Sequence, residues 1–255
     1  MLKSRTQRLL AAAVVLVVAL GAAGWWFFIR DDAPEAANID DASKTLDEQA
    51  AGSGDSSDTT TADGATGAAA LDGTWDVDTS IGSFDDNFTS TYAGYRMEEQ
   101  LAGVGATTAV GRTPDVTGNI TIAGNQVTEG SFEVDMTTLK SDKDMRDNAI
   151  RSRGLETDAF PTATFELTQP VDLPADAATS AEPVSFSATG DLTVHGVTKQ
   201  VTLDFDAHVG DGALVIVGQA PITLADYSID PPTSAIALSV SDAGTLEFQV
   251  FLSQS

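Results

Sequence analysis

From Leu71 to the end of the 255-residue chain, apolar and polar residues alternate with a period of two, and this alternation constrains the fold more than any other feature. Phe132, Val134 and Met136, for example, are separated by two acidic residues. Successive side chains of a β-strand point to opposite faces, so the pattern predicts strands with one apolar and one polar face. About eight such runs, several divided by Gly, Asn or Asp, predict an antiparallel meander.

An all-β meander of this size predicts a container. Closing the sheet into a barrel removes its exposed edges, and at about eight strands the interior holds one small ligand. A sandwich of two sheets satisfies the same alternation and is the alternative fold. Eight inward-facing residues form either a ligand tunnel or an ordinary core, namely Phe132, Phe165, Phe186, Leu192, Val201, Phe205, Phe248 and Val250.

One segment departs from the strand pattern. Between Ser141 and Gly154 the apolar period shifts toward that of a helix, and Gly154 is a suitable helix stop. Acidic residues near its start favour the positive end of the helix dipole. The sequence therefore predicts a short helix over residues 142–153.

The same segment concentrates positive charge. The last 185 residues contain eight bases against 28 acids, and five of these bases lie within fourteen positions, namely Lys140, Lys143, Arg146, Arg151 and Arg153. Guanidinium groups bind phosphate oxygens through charge-assisted hydrogen bonds, so the three arginines are candidates for binding an anionic head group. The alternative is a solvated helix face with i,i+4 ion pairs through Asp147.

Two further arginines and one histidine of the predicted barrel are candidate site residues. Arg96 and Arg112 are the other bases in the first half of the predicted barrel. Both are head-group candidates if they point into the barrel mouth, with a surface ion pair as the alternative. His195 precedes Gly196, which predicts a turn residue that is hydrogen-bonded locally and is not catalytic.

The amino-terminal part of the chain has the features of a membrane segment. Residues 9–29 are apolar and uncharged, which is long enough to cross a hydrocarbon core of about 30 Å. Basic residues precede this run and acidic residues follow it, so residues 1–30 are predicted to be a cell-membrane anchor with a cytoplasmic amino terminus. The alternative is a cleaved signal sequence, which would give a secreted protein.

Residues 31–70 differ in composition from both neighbours. They are mostly Asp, Ala, Ser, Thr and Gly, with few large apolar side chains. Such a segment buries too little surface to offset its ordering entropy, so we predict a disordered linker. The predicted domains are therefore the anchor over 1–30, this linker, and a folded domain over 71–255.

Composition excludes several functions. With 38 acids against 13 bases, nucleic acid is not an expected partner. The chain has no cysteine and only two histidines, so a disulfide, a thiol nucleophile and a multi-histidine metal site are not expected. A dinucleotide fingerprint and a G-x-S-x-G elbow are missing as well. We therefore expect no enzyme activity, no cofactor and no metal.

Three segments carry a resemblance to a known family. They are Asp144-Met-Arg-Asp147, the stretch from Leu155 to Pro161, and Gly190-Asp-Leu-Thr-Val-His-Gly-Val-Thr-Lys199. In this order they resemble the YceI-like, polyisoprenoid-binding family of lipocalin-like proteins. The resemblance implies an extended eight-stranded barrel over residues 71–255 that holds a long isoprenoid chain without catalysis. It also implies export to the cell envelope and allows a homodimer.

The chain departs from the family pattern in two places. Ala149 and Ile150 stand where the family commonly has a His-Leu pair, and residues 84–115 match the pattern poorly. The leading hypothesis is a membrane-tethered barrel that binds or transports an isoprenoid lipid or quinone, taken from the nearby bilayer. The alternative is an envelope protein-interaction module whose barrel holds no ligand.

Overall fold

A computed structural model describes residues 33–52, 71–85, 88–210, 212–232 and 237–255. The predicted membrane segment at 9–29 lies outside these residues, so the anchor stays a prediction. Within the described ranges, no helix combines the length and the apolar character needed to span a bilayer.

Twelve strands of the described residues form one antiparallel sheet. They are β1 (Gly73–Val77), β2 (Tyr92–Leu101), β3 (Gly105–Thr113), β4 (Val116–Ala123), β5 (Gln126–Asp135), β6 (Lys140–Ser141), β7 (Thr162–Leu167), β8 (Val171–Asp172), β9 (Val184–Val194), β10 (Val197–Gly210), β11 (Ala213–Thr223) and β12 (Ala237–Gln254). Two α-helices accompany them, α1 (Ile39–Gly52) and α2 (Asp144–Ala149). Short 3-10 turns lie at Met136–Thr138 and Leu224–Tyr227.

Eight of these strands close into a barrel. Their order is β1-β4-β5-β7-β9-β10-β11-β12, and β12 returns to β1 through the register Trp75↔Gln254 to Val77↔Leu252. The eight-stranded antiparallel barrel is therefore confirmed, and the sandwich alternative is wrong. Closure leaves β1 with partners on both sides, so neither of its edges is exposed.

The simple meander is wrong at one point, because β2 and β3 leave the sequential order. This hairpin pairs with β12 between Ala237 and Gln249 and extends the barrel beyond β1 at one end. The sequence did not predict this hairpin, because the apolar and polar faces of β2 are not clearly separated. Arg96 and Glu98 lie on one face and contact other polar groups. In β12 a register shift between Val240 and Gly244 joins two apolar runs into one strand of 18 residues.

Helix α1 packs on the outer face of the barrel. Ala42 and Leu46, spaced i,i+4, are 1% and 3% exposed and join an apolar cluster with Val215, Val217 and Phe251. Strand β11 is buried on both faces because Leu214 and Ile216 face the interior while Val215 and Val217 face α1. The disordered-linker prediction is therefore wrong for residues 33–52. Two residues at helical spacing suffice when a complementary apolar strand face lies opposite.

Replacing Leu46 by Ala tests this docking. The change removes a buried side chain and leaves a cavity under α1, so the free energy of unfolding should fall by about 2 kcal/mol. Hydrogen exchange over residues 39–49 should accelerate at the same time. Lys44→Ala is the control, since Lys44 is exposed and forms a surface ion pair with Asp41. Equal exchange in both variants would contradict the docking of α1.

The predicted helix at 142–153 is confirmed. Helix α2 begins at Asp144, and a π-helical turn, Ile150–Gly154, continues it. Asp147 is buried and accepts hydrogen bonds from the backbone and hydroxyl of Ser141, at 2.9 and 2.6 Å. This carboxylate therefore ties the helix to β6, which is a structural role for one residue of the Asp-Met-Arg-Asp motif.

Candidate functional site

The interior of the barrel contains a cavity of about 660 Å³. Its wall is largely apolar and draws on most of the barrel strands and on the hairpin β2–β3. Ligand pockets in proteins typically measure roughly 300–1,000 Å³ and bury most of an apolar ligand. The barrel is therefore a container, as the alternation of the sequence predicts.

Six of the eight predicted tunnel residues lie on the cavity wall, namely Phe132, Phe165, Leu192, Phe205, Phe248 and Val250. Phe186 and Val201 do not. Phe186 stacks on the far side of Phe205, with ring centroids 5.5 Å apart and planes 11° apart. Val201 pairs with Gly190, and the space above Gly190 is taken by the ring of Phe165, because a Cβ there would lie 2.4 Å from its Cζ. Phe165 therefore forms the wall where Val201 was expected.

The cavity opens at a mouth formed by three elements. They are the end of β2 with Glu99, the start of β12 with Val240, and the segment from Lys143 to Gly154, which carries all the exposed residues of the described cavity wall and so locates the opening. Val240 is the cross-strand partner of Glu99, whose carboxylate accepts a hydrogen bond from Arg146. The predicted helix thus has one face on the cavity and is not a purely solvated element.

Arg146 lies on the cavity wall but is already engaged by protein groups. Its guanidinium donates to the carboxylates of Glu99 and Asp142 and, at 3.3 Å, to the hydroxyl of Ser141. Burial opposes its charge, yet the bonds to Glu99 and Asp142 outweigh this effect and raise the pKa of Arg146. The structure therefore places Arg146 at the mouth as the residue that joins α2 to β2.

Arg151 and Arg153 differ in their surroundings. Arg151 donates to the carbonyl of Leu139 at 3.2 Å and to the side chain of Asn148 at 3.3 Å, and it does not line the cavity. Arg153 is exposed and lines the cavity, and no residue of the described chain forms a hydrogen bond or ion pair with its guanidinium. Of the three arginines, Arg153 is therefore the one at the mouth whose guanidinium has no partner among the described residues.

The structure does not bring Arg96 and Arg112 to the cavity. Nε of Arg112 lies 2.7 Å from Glu247, whose side chain is fully buried, so the pair is internal and not the expected surface ion pair. Arg112 also donates to the carbonyl of Glu35 at 2.5 Å, and Arg96 donates to that of Pro34 at 2.7 Å. Both arginines therefore hold the segment that precedes α1.

The sequence analysis missed the contribution of β2 to the site. Tyr95, Met97, Glu99 and Leu101 line the cavity. The hydroxyl of Tyr95 is buried without a hydrogen-bond partner among the described residues, and burial raises the pKa of Tyr95. The period-two pattern of a strand is present in the sequence, because these four residues alternate with Arg96, Glu98 and Gln100. The acidic residues within the run obscured it.

His195 contacts the loop that contains Glu156 and Phe160. Its Nε2 lies 3.1 Å from Glu156 and its Nδ1 lies 3.2 Å from the carbonyl of Tyr227, so its partners are distant in sequence and not local as expected. Its ring packs against Phe160, with centroids 4.3 Å apart. The two motifs at 155–161 and 190–199 are thus in contact.

Comparison with solved structures supports the fold. A polyisoprenoid-binding domain from Saccharophagus degradans, implicated in plant cell wall breakdown, superposes with a TM-score of 0.53 at 16% identity and covers 71% of this chain and 98% of its own. BcnA of Burkholderia cenocepacia gives a TM-score of 0.48 at 14% identity over 62% of this chain and 95% of its own. At this level of identity, the first similarity shows the fold alone.

Sequence comparison identifies the family. A UPF0312 protein of Vibrio campbellii is 35% identical over 104 residues, which span 38% of this chain and 50% of that relative. The family model of the YceI-like domain matches residues 59–252, which is well over half of the chain. The chain therefore belongs to the YceI-like domain family.

Proposed function

We propose that the protein binds an isoprenoid lipid or a quinone in the barrel cavity, without catalysis. The observation that carries this proposal is a largely apolar interior of about 660 Å³ that opens at a mouth where Arg153 has no partner among the described residues. Transfer of a hydrocarbon chain into such an interior is favourable by about 0.8 kcal/mol per CH₂. The polyisoprenoid-binding description of the Saccharophagus degradans domain agrees with this assignment.

The proposal includes a cell-membrane location with the barrel outside the cell, based on the apolar run at 9–29 and the charges beside it. Residue 34 already contacts the barrel through Arg96. Few residues then remain between the proposed anchor and the docked segment, so the barrel would stay close to the bilayer. This position suits a protein that takes its ligand from the membrane.

Native mass spectrometry of the full chain, purified in mild detergent, tests the proposal. We expect one lipid per chain, with a fragment pattern of repeating isoprene units. A chain that is empty after this purification and takes up no added prenyl lipid would contradict the proposal. An empty barrel that also captures an envelope protein reproducibly would favour the interaction-module alternative.

Replacing Arg153 by Gln tests recognition of the head group. A hydrogen bond to a charged group contributes about 1.5–3 kcal/mol, so the dissociation constant for a prenyl phosphate should rise about tenfold or more. Binding of the matching neutral alcohol should not change. Arg151→Gln is the matched control, since Arg151 does not line the cavity. Calorimetric titration that shows equal losses for phosphate and alcohol would argue against recognition of an anionic head.

A further inference from the structure

Exposed apolar side chains are concentrated at the cavity mouth. Among the described residues, Met145 and Leu238 are the two large hydrophobic side chains that are strongly exposed, at 64% and 63%. Met145 lies on α2 and lines the cavity, and Leu238 lies between two residues of β12 that line it, Ala237 and Val240. Both exposed residues therefore belong to the mouth and to no other part of the described surface.

Met145 on α2 and Leu238 on β12 are connected through β2. The Arg146–Glu99 ion pair joins α2 to β2, and β2 pairs with the start of β12 through Leu101 and Glu99. We name the residues Met145, Leu238 and the neighbouring lysines Lys140 and Lys143 the mouth rim.

The charge of this region differs in sign from that of the whole protein. Residues 140–153 contain five bases and three acids, a net charge of +2, whereas the whole chain carries −25. Lys140 and Lys143 are exposed, and Lys143 forms a solvent-exposed ion pair with Asp142 at 2.6 Å, which is a weak contact that a lipid phosphate can replace. Exposed apolar side chains beside basic ones are the combination that binds the interface of an anionic bilayer. The acidic remainder of the protein is repelled by the same surface.

We propose that the mouth rim docks on an anionic lipid bilayer, with Met145 and Leu238 inserted among the head groups and lysines beside the lipid phosphates. This inference rests on the proposed lipid-binding function and specifies how a ligand enters. A long isoprenoid chain that leaves the membrane at the rim passes from one apolar phase to another. It therefore avoids the cost of crossing water.

Single-cysteine labelling of the full chain tests the docking. The protein has no cysteine of its own, so an environment-sensitive fluorophore can be placed at Met145→Cys or Leu238→Cys without background. Ala181→Cys is the control, because Ala181 is exposed next to the start of β9, at the opposite end of the barrel. The labelled chains are reconstituted into phosphatidylcholine vesicles with and without phosphatidylglycerol.

With phosphatidylglycerol present, both rim probes should shift to the blue and be quenched by spin-labelled lipids, while the Ala181 probe remains accessible to aqueous iodide. The double variant Lys140→Glu/Lys143→Glu should lose the difference between the two vesicle types. Rim probes that iodide quenches as strongly as the control would overturn the proposal. Shielding without lipid that rises with protein concentration would also overturn it, because the rim would then be a contact between copies of the chain.

Leu238→Asp separates docking from ligand binding, because Leu238 is not part of the cavity wall. Uptake of a prenyl lipid from detergent solution should be unchanged, and the rate of uptake from anionic vesicles should fall about tenfold. An unchanged rate would contradict entry through the rim. A chain whose rim probes report docking but which never takes up lipid would instead contradict the proposed function.

Discussion

Replacing Glu247 by Gln is expected to lower the free energy of unfolding by about 3 kcal/mol or more, because it leaves buried positive charge without its counter-charge. The Glu247 carboxylate is fully buried, 2.7 Å from Nε of Arg112 and 3.6 Å from a terminal nitrogen of Arg96. It also accepts a hydrogen bond of 3.3 Å from the backbone of Ala37. Urea unfolding of the full chain measures the effect.

The control for this variant is Glu166→Gln, an exposed acid near the end of β7, which should change stability by less than about 0.5 kcal/mol. In addition, the double variant Arg112→Met/Glu247→Gln should be less destabilised than the sum of the two single variants. A loss below about 1 kcal/mol in Glu247→Gln would show that the buried pair is not essential.

The same substitution should loosen the segment before α1. Pro34, Glu35 and Ala37 are all hydrogen-bonded to the Arg96, Arg112 and Glu247 cluster, and Gln219 donates to the carbonyl of Ala37 at 3.0 Å. Hydrogen exchange at residues 35–42 should therefore accelerate in Glu247→Gln more than exchange in β4 and β5. Uniform acceleration over the whole chain would indicate global destabilisation alone.

Filling the cavity should have the largest effect on ligand binding. Ala220 is buried in β11 and lines the cavity, opposite Leu246 of β12. A tryptophan there should exclude at least one isoprene unit of five carbons, which corresponds to about 4 kcal/mol at 0.8 kcal/mol per carbon group. The dissociation constant for a prenyl lipid should therefore rise about a thousandfold.

Ala220→Trp also strains the barrel, with an expected cost of about 1–3 kcal/mol, so its folding must be checked by circular dichroism and urea unfolding. A second variant, Ala149→Trp, fills the cavity from the short helix at the mouth, where the barrel strands are not disturbed. Two folded variants that retain wild-type lipid affinity would show that the ligand does not occupy this cavity.

The sequence was sufficient to predict the all-β class and most of the inward-facing residues, because alternation is a local property, whereas the choice of a barrel over a sandwich required the pairing of β12 with β1. Phe132, Phe165 and Leu192 fall on the inner face by parity alone once their strands are recognised. The position of a residue along its strand does not predict whether it lines the cavity where neighbouring side chains occupy the same space. Val201 is not part of the wall, and the ring of Phe165 lies over its cross-strand partner Gly190.

Sequence reasoning was less successful with the charged residues. The basic cluster was found, but its five members could not be told apart from their spacing. In the structure Arg146 is bound by Glu99, 47 positions away, while Arg153 lies at the mouth and none of the residues that the structure describes pairs with it. A linear pattern does not reveal which carboxylate a guanidinium will meet after the strands have paired.

The amino-acid sequence by itself determined the all-β class, the short helix at the mouth and the apolar interior, because each of these depends on the residues within one strand or turn. Only the tertiary structure decided that β2 and β3 extend the barrel, that α1 docks on β11, and that Arg112 meets Glu247 across 135 positions. The physical reason is burial. Whether a polar or weakly apolar segment becomes ordered depends on the surface that covers it, and that surface exists only after the barrel has closed.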